Sequence, residues 1–319
     1  MAREVGREPD REERDREDDV PPSDAAAERG RWRVIALALT LTAVVAFALT
    51  RGGEPDPATE RAGRGQVPTA PTGPSTPSPT LGLLPACSND PPSPSDLPPP
   101  ADVVPGATAD YLFQDALASA LGNPPDLVEI GQGSSVFTVD ASTGTTVLRF
   151  AGQRGLSLAP TTRAIRSSEY TLEMLFRFDF VSKYRKIVDF KGGAADSGLY
   201  VFDGCLSFSP KQLDAVTSIA PDSWVQVVLT RTSAGRVVVY VNGIRQFAFD
   251  DRRGLAKIGK SDTLRFFADD RTTTGEYSSG AVSQIRFFDR SLSESEVLAL
   301  ACTELAIADA TFSCRELLQ

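Results

Sequence analysis

Residues 236–251 read RVVVYVNGIRQFAFDD, two runs of alternating β-branched and aromatic residues on either side of Asn242 and Gly243. An Asn-Gly pair supplies the positive φ angles of a two-residue type I′ turn, so the stretch is expected to be a tight β-hairpin. With that turn Val241 faces Ile244, Val239 faces Gln246 and Val238 faces Phe247.

The same texture extends in both directions. Short apolar runs separated by Gly, Asp, Ser and Pro occupy 147–150, 170–178, 186–190, 199–202, 224–230, 237–241, 244–249, 264–267 and 282–288. Strands at such regular spacing with turn signals between them predict an all-β sandwich or barrel. In YTLEMLFRF, Tyr170, Leu172, Met174, Phe176 and Phe178 fall on one face, with Glu173 and Arg177 on the other, toward solvent. Helix is scarce. Ser293 with Glu296 forms a capping box that starts a helix carrying Val297, Leu298 and Leu300 and ending near Cys302, and a weaker helix or turn is expected over 111–121.

Composition limits the chemistry. The chain of 319 residues contains no His, which removes Ser-His-Asp and Cys-His catalysis and His-ligated zinc. Net charge is −9, but residues 106–319 hold 25 acidic against 22 basic residues. A region so near neutrality, with scattered Lys and Arg, has no basic face for nucleic acid.

Upstream organisation is read from composition. Residues 1–33 carry 11 acidic and 8 basic residues with little that is apolar, the pattern of a disordered cytoplasmic tail. Residues 34–50, VIALALTLTAVVAFALT, are uncharged and long enough for one transmembrane helix. The Ala46 and Ala48 pattern leaves a cleaved secretory signal as the alternative, and both readings export the rest of the chain. Residues 51–105 contain 15 of the 23 prolines and are expected to be a disordered, partly extended linker. Residues 106–319 are then the displayed domain with a short C-terminal extension.

Several segments carry a resemblance: VLRFAGQRGLSL, YTLEMLFRFDF with YRKIVDFKG, SGLYVFDGCLSF, the 222–251 run, LRFFADD, and EYSSGAVSQIRFFDRSLSESEVLAL. Over about residues 110–302 their order resembles laminin-G-like, concanavalin A-like domains, of a membrane-anchored bacterial type. The resemblance implies a two-sheet antiparallel jelly roll and a family of lectin-like, adhesive, structural and hydrolytic members. Glycosidases of similar fold carry clustered carboxylates on one strand. No Glu-x-Asp-x-x-Glu run is present here, and Glu173 and Asp179 are the nearest acids.

Candidate binding groups lie in FFADDRTTTGEYSSG. Asp269, Asp270 and Glu276 are oxygen donors suited to Ca2+, with Tyr277, Ser278 and Ser279 beside them as ligand contacts; Asp250 with Asp251 is a second acidic pair. Among aromatics, Trp224 is assigned to the core, Tyr240 to the surface, and Tyr277 to ligand contact, with Tyr170 and Tyr200 as further stacking candidates. The four cysteines all lie downstream of the apolar segment, as suits an oxidising compartment. Cys302 with Cys314 is the expected short-range disulfide, which leaves Cys87 with Cys205, although three connectivities are open. These readings converge on a non-catalytic, membrane-anchored, extracytoplasmic binding or adhesion module for a glycan or an envelope or surface protein. A carbohydrate-active hydrolase and a structural envelope component are the alternatives.

Overall fold

The computed structural model describes residues 87, 90, 93, 96–101, 106–211, 213 and 215–308. The expected tail at 1–33, the membrane segment at 34–50 and most of the linker lie outside the described residues. Among the described residues no helix is long and apolar enough to cross a membrane.

Fourteen strands, one α-helix and a short 3-10 turn at Thr161–Arg163 are described: β1 (Ala109–Tyr111), β2 (Val128–Gly131), β3 (Ser135–Val139), β4 (Thr146–Phe150), β5 (Arg154–Leu158), β6 (Tyr170–Phe178), β7 (Tyr184–Asp189), β8 (Gly198–Phe202), β9 (Cys205–Ser209), β10 (Val225–Arg231), β11 (Arg236–Val241), β12 (Ile244–Asp250), β13 (Leu264–Phe266), β14 (Gly280–Phe288) and α1 (Glu294–Ala308). They form two antiparallel sheets. One runs β12-β11-β10-β6-β14-β4-β3, with β1 also paired to β14; the other runs β2-β5-β13-β7-β8-β9. The sandwich expected from the strand spacing is therefore present. Its core lies between the sheets, where Tyr170, Leu172, Met174, Phe176 and Phe178 of β6 meet Leu156, Phe266, Val188, Leu199 and Phe208 of the second sheet.

The hairpin corrects the expected register. Asn242 and Gly243 have φ of 50° and 79°, as a type I′ turn requires, and Val241 pairs with Ile244. Beyond Tyr240 a bulge shifts the ladder, so Val239 pairs with Phe247 and Val238 with Ala248. Gln246 is the displaced residue. Its buried side chain accepts hydrogen bonds from the backbone N–H groups of Val216 (3.0 Å) and Thr217 (2.8 Å), pinning the neighbouring loop.

A second correction concerns Glu173, which is 1% exposed rather than solvated. Because β6 lies between β10 and β14, its outward side chains are covered too. Gln226 donates to Glu173 at 2.6 Å and Arg286 at 3.1 Å, so the carboxylate is paired on the outer face of the sheet. The region expected to be helix or turn at 111–121 leaves β1 as turns and bends without helix.

Helix α1 has the expected capping box: the Ser293 N–H donates to Glu296 at 2.8 Å, and the Glu296 N–H donates to the Ser293 hydroxyl at 3.4 Å. It continues past Cys302 to Ala308. Val297 and Leu300 pack with Val228, Tyr240 and Phe288, which places Tyr240 in an outer hydrophobic cluster instead of at the surface. A disulfide joins Cys87 to Cys205 across 118 residues, tying the linker's end to β9. Cys302 is also disulfide-bonded, and Cys314, its expected partner, lies outside the described residues.

Gly243 sits under this helix, where a Cβ would meet Leu298 Cδ1 at 2.9 Å and Ala301 Cβ at 3.0 Å in a left-handed conformation. Gly243→Ala is expected to cost about 1–3 kcal/mol, or several degrees of Tm in a thermal unfolding scan. An unchanged Tm would mean that the turn does not carry α1.

Candidate functional site

The second sheet turns an unusual set of side chains outward. Tyr184 pairs with Phe202 and Lys186 with Tyr200, so all four share the face of β7 and β8 turned away from the core. Two loops wall that face. The 190–197 loop leaves β7 through Gly192 and Gly193, where Gly193 has φ of 78° and a Cβ would strike Arg265 Nη1 at 1.8 Å. The 267–279 segment runs on from β13 along the edge of β7, held by bonds from Phe267 N–H to Ile187 C=O (3.0 Å) and from Lys186 N–H to Glu276 C=O (2.8 Å).

Between the loops lies Lys186, fully buried and surrounded by carboxylates. Its ammonium donates to Asp270 Oδ2, lies 3.9 Å from both Asp189 Oδ2 and Glu276 Oε2, and sits 4.8 Å from the centre of the Tyr200 ring. Asp196, on the exposed side, accepts from the Tyr200 hydroxyl and from the Thr273 hydroxyl, each at 3.0 Å. Carboxylate oxygens of Asp196, Asp270 and Glu276 all lie within 4.8 Å of one another.

The carboxylates are not equivalent. Asp270 is buried, which by itself raises its pKa. That effect is outweighed by Lys186, the Thr272 hydroxyl and the backbone N–H groups of Thr272 and Thr273, which hold it down at about 2. Glu276 has fewer partners. Burial first and the Asp196 charge second push it up to about 7, with Asp270 adding to the rise, against the opposing pull of Lys186 and Tyr200. Glu276 Oε2 and Asp189 Oδ2 are buried without a hydrogen-bond donor among the described residues. Three carboxylates therefore lie within 4 Å of Lys186, with Asp196 beside two of them on the exposed side, more negative charge than that one lysine balances.

Of the residues expected to bind a cation, Asp270 and Glu276 are brought together. Asp269 instead accepts from the N–H groups of Gly275 (2.7 Å), Glu276 (3.1 Å) and Asp270 (3.0 Å), shaping the loop that presents them. Asp251, of the second acidic pair, is buried against Arg231, and Asp250 pairs with Arg236. Tyr277 is half-buried and its hydroxyl accepts from Gln153 at 2.8 Å; its ring lies over Gly152. The buried Ser278 hydroxyl accepts from the Phe180 N–H and donates to the Ser279 carbonyl, which also accepts from the Asp179 N–H. Trp224, expected in the core, lies at its margin and donates to Asp140 (3.3 Å) and Ser142 (3.1 Å) beneath Arg177. Asp196, Asp189 and Lys186 were not singled out from the sequence. The alternation in YRKIVD puts Lys186 and Ile187 on opposite faces of β7, and nothing in that run marks Lys186 as buried.

In stability terms the native state holds the Glu276 proton up to about pH 7, whereas the unfolded chain releases it near 4.5. Between those values the folded protein binds more protons, so stability falls as pH rises through the window. Thermal unfolding in chelator is expected to show Tm falling from about pH 5 to about pH 7, and Glu276→Gln should flatten that slope. An unaltered slope in the variant would assign the titration elsewhere.

Residues 150–298 match the family described as the Concanavalin A-like lectin/glucanases superfamily, the class that the sequence resembles. No curated protein matches the chain. Among solved structures, domain 4 of AbnA, a GH43 extracellular arabinanase from Geobacillus stearothermophilus in complex with arabinotriose, is similar over 62% of this chain and 100% of that chain, with a TM-score of 0.50 and 17% identity. A structure of botulinum neurotoxin type C, whose cell entry depends upon interaction with two ganglioside molecules, matches over 61% of this chain and 50% of that chain at TM-score 0.47 and 12% identity. The binding domain of botulinum neurotoxin DC in complex with rat synaptotagmin II matches over 61% and 51% at TM-score 0.47 and 12% identity. The chain spans about half the length of these neurotoxin chains. At such identities the likeness is one of fold.

Proposed function

We propose that this concanavalin A-like sandwich is a non-catalytic, extracytoplasmic binding module for a glycan, with a Ca2+ ion held by Asp196, Asp270 and Glu276. The observation that carries the reading is the cluster itself: three carboxylates within 4.8 Å, on a face where Glu276 Oε2 and Asp189 Oδ2 lack donors. A hard divalent cation with oxygen ligands fits that donor set and would offset the charge that Lys186 leaves uncompensated. Asp269 then serves as the residue that positions the loop, and Tyr277, Ser278 and Ser279 line the segment beside it. That the solved arabinanase domain of like fold is in complex with arabinotriose supports a saccharide as the ligand class. The apolar segment 34–50 and the Pro-rich 51–105 would hold the module to a membrane and space it from the surface. In this reading the amino end is cytoplasmic and the module lies outside.

A specific observation favours a hydrolase as the second reading. Glu276 held up at about 7 beside Asp270 held down at about 2 is the separation that glycoside hydrolysis uses for its acid and its base or nucleophile. Against it, Asp270 is buried and its Oδ2 is held by the Lys186 ammonium, which withdraws charge from a nucleophile. The other acids considered, Glu173 and Asp179, are paired with Arg286 and Arg149. Reducing-sugar release from polysaccharides, abolished in Glu276→Gln, would favour the hydrolase.

Thermal unfolding of the full-length chain with Ca2+ and with chelator tests the cation. A ligand a hundredfold above its Kd adds about 2.7 kcal/mol, on the order of 5–10 °C in a domain of this size. The shift should disappear in the double variant Asp196→Asn with Glu276→Gln. No shift in the wild-type chain would remove the ion from this reading.

A further inference from the structure

Tyr184 and Phe202 are the exposed aromatic pair of the second sheet. Their rings stack at 4.3 Å between centroids and 27° between planes, and each residue remains 40% exposed. The stack continues inward, since Tyr184 meets the Tyr200 ring edge-on at 5.7 Å, and the Tyr200 hydroxyl donates to Asp196. Phe180, 60% exposed, lies on the same β6–β7 connection. That connection is fastened to the β8–β9 turn by bonds from the Asp203 N–H to Lys183 C=O (3.3 Å), the Gly204 N–H to Val181 C=O (3.0 Å) and the Lys183 N–H to Asp203 Oδ1 (2.6 Å).

Two aromatic rings side by side on a strand pair offer an apolar surface to water, and the size of the patch limits what can cover it. Residues of this kind bury 150–250 Å² each, so at these exposures the stacked pair offers about 160 Å². A stable protein partner needs about 800 Å² from each side. The surrounding groups are polar: Lys183 and Asp203 at one end, the Ser207 position opposite Tyr200, and Asp196 at the other end. The stacked rings turn one face of each toward the other, and the apolar surface they leave open, one or two rings across and ending in a carboxylate that can accept hydroxyl hydrogens, matches a sugar ring, whose C–H face is apolar and whose rim carries hydroxyls.

We infer that Tyr184 and Phe202 form the aromatic platform against which an oligosaccharide packs, with its hydroxyls directed toward Asp196. This rests on the glycan-binding reading and adds the surface that does the binding. The platform is set by the β7–β8 register and holds whether or not an ion occupies the neighbouring carboxylates.

The full-length chain is tested on an array of pentose and hexose oligosaccharides, with affinities measured for each glycan retained. Tyr184→Thr and Phe202→Thr keep a β-branched residue on each strand. Each should lose at least about tenfold in affinity, equivalent to about 1.4 kcal/mol. Tyr184→Phe should bind within about threefold of wild type, about 0.7 kcal/mol, because the ring remains. If a Thr variant loses its cooperative unfolding, Phe202→Leu is read in its place, since it keeps an apolar side chain and loses only the flat ring. Retention by wild type with unchanged affinity in the ring-deleted variants overturns the platform and leaves the glycan reading standing. Retention of no glycan overturns both. A dimer in sedimentation that Tyr184→Thr dissociates would assign the rings to a second copy of the chain and overturn the platform.

Discussion

The ammonium of Lys186 is the tie on which the outer face of the second sheet depends. It bonds to Asp270 in a fully buried setting, which fixes the 267–279 segment against β7 and determines where Glu276 points. A buried charge without its partner is strongly destabilising, so this pair specifies the loop's position more than it adds to net stability. Asp189 and Asp196 then come to the same place from β7 and from the loop after it. The charge imbalance of the cluster is a consequence of one lysine anchoring two loops that each bring acids.

The core imposes the other constraint. Strand β6 is buried on both faces: its inward residues fill the space between the sheets, and its outward Glu173 is neutralised by Arg286 and hydrogen-bonded by Gln226. Both Glu173 and Asp179, the acids nearest to a glycosidase pattern, are thereby in ion pairs, one on the outer face of β6 and the other just beyond its end. The chemistry left open to solvent is on the opposite sheet, where Asp196 is exposed and the Tyr184–Phe202 stack remains accessible. Separating a structural sheet from a displaying sheet in this way lets ligand groups change without disturbing the core.

Much of this was legible in the residues. Periodicity located nine of the fourteen strands, the Asn-Gly pair predicted the hairpin, and Ser293 with Glu296 predicted the helix start. Five strands were missed: β1, β2, β3, β5 and β9. β1 has three residues, and β2 and β5 carry Gly, Ser or charge at half their positions or more, so these are strands because of their partners more than by their own propensity. The bulge at Gln246 was invisible because its cause is a loop thirty residues upstream that needs its amide. Two of the four acids of the cluster were found from their loop, since Asp270 and Glu276 are close in sequence. Asp189, Asp196 and Lys186 come from a strand and a connection on the far side of the site, and only the fold brings them in. Tyr184 and Phe202 could be paired only once the β7–β8 register was known.

The most direct test of the site is anomalous diffraction from crystals of the full-length chain soaked with terbium, a calcium-like ion that scatters strongly. A single dominant peak about 2.3–2.6 Å from oxygens of Asp196, Asp270 and Glu276 is expected. Crystals with no peak there, or with ions only at other acidic loops, would contradict a cation site at this face and leave the carboxylates to be balanced by Lys186 and a proton.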